Sequence, residues 1–218
     1  MSWASAATGT AIALAFSGAP DHEGFPMQEA WAKAQPVQFD ADWQGANSDA
    51  QRETEVRLLW TRETLFLRFR CRYRNLTTFP DSDPDGRRYQ LWDRDVAEVF
   101  LQPDPANPHR YWELEISPDG KWIDLDINLD KPPGHKENPH SGMKSRVYLD
   151  EKQKIWTAEI ALPMRTIKPM FDPKADWRVN FFRVEGPNEP RFYSSWRPTN
   201  TPKPSFHVPE AFGKLSFR

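Results

Sequence analysis

Apolar and polar residues alternate with a period of two along most of this chain, the spacing that sends successive side chains to opposite faces of a β-strand. The alternation is cleanest at Leu65, Leu67, Phe69, Cys71 and Tyr73, with Phe66, Arg68, Arg70 and Arg72 between them. One face of that strand is predicted to be core and the other solvent. The same criterion predicts strands over 53–60, 63–74, 95–102, 110–117, 120–128, 144–149, 154–162, 177–185, 191–196 and 213–218. Turn residues punctuate them. Pro118, Asp119 and Gly120 make a tight hairpin, and residues 150–153 make another, as short antiparallel connections require. No amphipathic stretch reaches the length of an ordinary helix; 27–34, 164–167 and 209–212 are predicted as short helical turns. The expected fold is therefore all-β, a two-sheet antiparallel sandwich of immunoglobulin-like or jelly-roll-like type.

Two long segments, 75–92 and 131–142, break the alternation and are rich in Pro, Gly, Asp or His. Loops of that length usually carry function or are disordered. No internal repeat or interdomain linker is legible, and 218 residues suit one large β domain, so residues 1–218 are read as a single domain.

Composition narrows the function. With 29 Lys+Arg against 31 Asp+Glu the net charge is -2, which gives no electrostatic reason to bind nucleic acid or an anionic membrane. The longest apolar run, 11–16, is far short of the roughly 18–20 residues that cross a bilayer. The first cationic residue is Lys33, so no secretory leader is read in the small apolar residues 4–16. A lone cysteine, Cys71, excludes an internal disulfide. The chain is expected to be a monomer. Ten Trp in 218 residues exceed what a core of this size needs, and flat aromatic faces are what flat ligands stack on.

The segment 91–101 reads Leu91, Trp92, Asp93, Arg94, Asp95, Val96, Ala97, Glu98, Val99, Phe100, Leu101. It resembles the signature strand of family 9 carbohydrate-binding modules, within the DOMON-like superfamily. Two further stretches, 112–118 and 194–213, keep order and spacing with that family, and the resemblance spans about 35–218. It implies a non-catalytic domain of bacterial type that accompanies glycan-degrading enzymes. A terminal sugar would be clamped between two aromatic rings and held by carboxylate, amide and arginine groups. By the same analogy the chain would act outside the cell or in the periplasm.

On this register Trp92 is the first stacking ring and Glu98 the carboxylate. Phe206 falls where the family has its second tryptophan, with Trp196 as a rival partner, and the amide falls near Asn200. Glu115 stands where the best-known branch carries arginine, which reverses the local charge. The chemistry agrees with these roles: pyranose C–H groups pack on aromatic faces, and a carboxylate accepts two hydrogen bonds from neighbouring hydroxyls. Glu98 shares a strand face with Val96 and Phe100, where a lone charge is costly, unless it pairs with Arg68, Arg70 or Arg72 on a neighbouring strand.

Glu113 and Glu115 share one strand face and Asp124 and Asp126 share a face of the next strand, so four carboxylates are expected to cluster on one surface. Arginines and lysines, or a calcium ion, would neutralise them. Asp81, Asp83 and Asp85 repeat the opening of a calcium loop, but its closing glutamate position is Trp92, so the loop is no EF-hand. The family's relatives carry structural calcium, which adds to the case for an ion. His22, His109, His135, His140 and His207 show no zinc spacing and are read as surface or structural residues.

Two other functions are weighed. A haem-binding DOMON-type electron-transfer domain would draw axial ligands from Met143, Met164 or Met170 with His207. A glycoside hydrolase would use Glu113 and Glu115, about 6–7 Å apart along one strand, although paired catalytic carboxylates flank the scissile bond from opposite sides.

Overall fold

The computed structural model describes residues 9–131 and 140–218. His135, residues 4–8 and much of the second long loop lie outside the described residues. Twelve strands follow in order: β1 Thr10–Ala15, β2 Val37–Phe39, β3 Thr54–Trp60, β4 Thr64–Arg72, β5 Val96–Gln102, β6 Arg110–Ile116, β7 Trp122–Asn128, β8 Lys144–Asp150, β9 Ile155–Pro163, β10 Trp177–Glu185, β11 Phe192–Ser195 and β12 Gly213–Phe217. Among the described residues the α-helical pieces are α1, Gln28–Lys33, and α2, Met164–Ile167. Single 3-10 turns lie at Ala50–Arg52, Leu91–Asp93 and Pro209–Ala211.

The chain is all-β, as the alternation requires, but the strands do not divide into two separate sheets. They join in one path, β7-β6-β5-β10-β12-β1-β3-β4-β9-β8, with β11 added to β10 and β2 to β3. The joining strands explain the difference. One edge of β10 is shared: Trp177 to Val179 pair with β12, and Phe182 to Glu185 pair with β11. One edge of β3 is shared likewise between β2 and β1. The sheet is not wholly antiparallel either, because β1 runs parallel to both β12 and β3. The expectation of a two-sheet antiparallel sandwich is corrected on both counts to a single, nearly closed, barrel-like sheet.

The curled sheet brings β5, β6 and β10 over β3, β4 and β9, and the space between them is the main core. Leu67, Phe69 and Cys71 of β4 meet Ala97 and Val99 of β5, Leu114 of β6 and Phe181 of β10, all fully buried. Phe69 and Phe181 touch edge-on at 6.0 Å. Each large side chain so enclosed stabilises the fold by roughly 1.5–3 kcal/mol relative to exposure. Charged groups also lie inside: Arg183 stands over the Trp156 ring at 5.1 Å and 3.3 Å from the Glu185 carboxylate. Asp95 accepts the Gly186 and Thr77 N–H groups at 2.7 and 3.1 Å, which ties the start of β5 to the end of β10.

Outer faces are covered too. Helix α1 closes one side through Trp31 over Phe66 and Ala161, and Arg57 binds its last carbonyls, at Trp31 and Ala34. On the other side β5 is buried along its whole length, on both faces. A second apolar cluster of Leu91, Val96, Phe100, Tyr111, Ile123, Leu125, Phe182, Val184, Phe206 and Phe212 coats its outer face. Loop residues from before β5 and after β11 contribute to it, so this outer face is roofed over.

Candidate functional site

The roofed face is not filled completely. Trp92, Glu98, Phe100, Glu113, Leu125, Ile127, Val184, Arg191, Tyr193, Pro204, Ser205, Phe206 and His207 surround a cleft of about 310 Å³. That is the lower end of the range of small-molecule sites.

Strand register builds its floor. Glu98 on β5 is directly opposite Glu115 on β6 and Phe182 on β10, and Phe100 is opposite Glu113. Because β-strand side chains alternate, Glu98, Phe100, Glu113 and Glu115 all point outward from the main core. Glu98 is 2% exposed, Glu113 4% and Glu115 0%, and one oxygen of each lies within 4.8 Å of the others. Burial pushes the Glu98 carboxyl well above the ordinary value of 4.5; Glu113 adds repulsion, and Arg191 opposes both weakly. Glu113 Oε2 is buried with no hydrogen-bond donor upon it, and His207 Nε2 stands 4.0 Å away.

The walls are aromatic. Trp92 sits in the 3-10 turn Leu91–Asp93, which is anchored by the fully buried Leu91 and entered through Gln90 at φ 60. Its carbonyl accepts the Arg191 Nη1 proton at 2.7 Å, and Tyr89 meets its ring edge-on at 5.4 Å. Phe206 lies flat on Phe182, centroids 4.2 Å apart and planes 14° apart. Tyr193 meets Phe206 edge-on, and the Arg191 guanidinium covers the Tyr193 ring at 4.9 Å. His207 is fixed by the Tyr111 hydroxyl at 2.7 Å.

The structure thus brings Trp92, Glu98 and Phe206 to one cleft, with Glu115 beneath it. It does not bring Trp196 there. That ring is buried in the main core against Phe181, on the opposite side of the sheet, so its place as a rival partner for Trp92 is corrected. Asn200 is exposed in a left-handed turn whose N–H binds the Trp43 carbonyl, and it does not line the cleft. Glu98 pairs with none of Arg68, Arg70 and Arg72; Arg68 faces Glu159 on the far half of the sheet.

The expected four-carboxylate surface is also corrected. In the hairpin Glu113 opposes Leu125 and Glu115 opposes Ile123, so Asp124 and Asp126 fall on the other face. There Asp124 binds Arg87 and the Ser141 N–H, and Asp126 binds Arg110. Asp81, Asp83 and Asp85 are exposed turn residues; Asp85 caps the Arg87 N–H and Asp81 lies 3.8 Å from Arg88. Among the described residues the acidic group compact enough to share an ion is Glu98, Glu113 and Glu115, each of which can offer one carboxylate oxygen to it.

Haem ligation finds no geometry. Met143 and Met164 are buried in the main core and Met170 is 88% exposed, while His207 is on the outer face. Glu113 and Glu115 lie side by side, one lining the cleft and the other under it, so they do not flank a common gap.

Glu113, Arg191, Tyr193 and His207 were missed as cleft residues by the sequence reading. The face shared by Glu98 and Glu113 depends on the β5–β6 register, which the connection 103–109 does not betray.

Fold and site together define a β-sheet protein with an aromatic-walled, acid-floored cleft on one outer face. The chain belongs to the carbohydrate family 9 binding domain-like family, whose model matches residues 24–217. The matched span holds the signature segment 91–101 and begins somewhat before the 35 expected. An "Extracellular protein" of Arthroderma benhamiae is 28% identical over 180 residues, covering 76% of this chain and 78% of that one. A Bacteroides uniformis structure, described as a candidate carbohydrate-binding protein, superposes with a TM-score of 0.74 at 16% identity, covering 96% of this chain and 99% of that one. A family 9 carbohydrate-binding module of Caldicellulosiruptor kristjanssonii in complex with glucose gives 0.65 at 12% identity, covering 96% and 95%. The module of that organism in complex with cellotriose gives 0.64 at 11%, covering 96% and 93%. These likenesses share the fold.

Proposed function

We propose that this chain binds carbohydrate, without catalysing its cleavage, in the cleft between Trp92 and Phe206. The observation that carries this reading is the pairing of aromatic walls with the buried carboxylates of Glu98 and Glu113 in one cavity. A pyranose ring offers the two surfaces this cavity asks for: C–H faces for the rings of Trp92 and Phe206, and hydroxyl donors for the carboxylate oxygens. Hydroxyls would supply the hydrogen bond that Glu113 Oε2, with His207 Nε2 4.0 Å away, does not receive from the protein. Family membership and the glucose and cellotriose complexes of structural neighbours support the same reading. A binding module of this kind serves polysaccharide breakdown by holding a partner enzyme near a chain end.

Calorimetric titration with cellotriose, using wild type and Trp92→Ala, tests the proposal. Loss of a stacking platform should cost about 1–3 kcal/mol, a tenfold to hundredfold fall in affinity. Equal affinity in both proteins would remove Trp92 from the site.

A further inference from the structure

The floor of the cleft holds more carboxyl groups than a neutral sugar needs. Glu98, Glu113 and Glu115 meet within 4.8 Å, all nearly or fully buried, with Phe100, Leu125 and Phe182 around them. Low polarity makes such a group costly unless a cation joins it. Two basic side chains stand at the rim. Arg191 donates to the Trp92 carbonyl and lies 3.4 Å from Glu189, while His207 is held by Tyr111 through Nδ1 and brings Nε2 to 4.0 Å from Glu113 Oε2 without a hydrogen bond. Glu113 Oε2 lines the cleft, is buried, and receives no hydrogen bond.

Building on the carbohydrate reading, we infer that the cleft selects a cationic amino sugar, a terminal 2-amino-2-deoxyhexose whose ring packs on Trp92 and whose ammonium sits between Glu98 and Glu113. An ammonium carries three donors and a full positive charge, so it satisfies the carboxylates and compensates them in one step. A hydroxyl at that place supplies a donor and no charge. The aromatic walls and the volume of about 310 Å³ fit a sugar ring better than a bare ion. With one oxygen from each of the three carboxylates, calcium would still need three or more further oxygens.

Calorimetry on the intact protein decides it, at about pH 6 where such an amine is protonated. The ligands are a fully deacetylated glucosamine trimer, cellotriose, the N-acetylated trimer and calcium chloride alone. The amino trimer should bind at least about tenfold more tightly than cellotriose, and N-acetylation should abolish the advantage. In Glu113→Gln, shown to be folded by its thermal melt, the ratio of the two affinities should collapse toward one. If that variant does not fold, the wild-type ligand series still decides. Cellotriose binding as tightly as the amino trimer overturns the inference and leaves the carbohydrate reading standing. No binding of any trimer brings down both. Calcium binding without a preference among the sugars assigns the carboxylates to a metal and overturns the inference as well.

Discussion

Glu98 is a carboxyl group kept where its charge is unwelcome. Burial raises its pKa in the folded protein well above 4.5, so the folded state binds a proton that the unfolded chain releases at lower pH. Its contribution to stability is therefore fully present below about 4.5 and is lost as pH rises through the folded value. Glu98→Gln, which carries no charge to bury, should be more stable than wild type at neutral pH by on the order of 1–3 kcal/mol. The gain should shrink as the pH is lowered through the folded value and be gone below about 4.5, which urea melts at a series of pH values would measure. Wild type and variant with the same pH profile would mean that the group is solvated. The two tryptophans of the sequence reading separate in the same way. Trp196→Ala should cost about 3–5 kcal/mol of stability by opening a core cavity, and protein that remains folded should keep its sugar affinity. Trp92→Ala should do the reverse. The motif around Trp92 and Glu98 is local, so it was legible; the position of Trp196 was not, because period-2 alternation assigns relative faces and does not tell a core face from a roofed one.

At the level of the elements, strand boundaries were read almost throughout, from 53–60 as β3 to 213–218 as β12, because the hydrophobic period of a half-buried strand is strong. Strand β1 escaped. Ala11 and Ala13 are fully buried, but the alternation there is between small and large apolar residues, not apolar and polar ones, and reads as a bland apolar run. Pairing explains the need for small residues there, since β1 is wedged between β12 and β3. Gly213, where β12 begins, shows how tight the join is. A methyl group there would lie 2.6 Å from the Trp196 ring and 2.8 Å from the Gly9 carbonyl oxygen. Gly213→Ala should destabilise by about 1–3 kcal/mol, measured by chemical denaturation, and Trp196→Phe in the same protein should recover part of the loss. An unchanged denaturation midpoint would show that the join yields easily. The misplaced Asp124 and Asp126 teach a related lesson: their face follows from a hairpin register one residue away from the expected one, and a one-residue slip reverses every side chain.

For the molecule as a whole, stability rests on burial. Cys71 is free, fully buried in the main core, and its thiol is pushed up to about 11 by desolvation. The thiolate is the reactive form, so a thiol reagent should leave native protein unmodified at neutral pH and label it at the rate of global opening. Labelling on a far faster timescale than unfolding would reveal a local opening of β4. The single path of the sheet has a last consequence, for the order in which the chain can mature. Strand β1 leaves the ribosome about two hundred residues ahead of β12, against which it must lie. Contacts between such distant parts of a chain form slowly. During synthesis the earliest strand therefore has an unfilled berth beside it, and the sheet is sealed only once β12 has emerged.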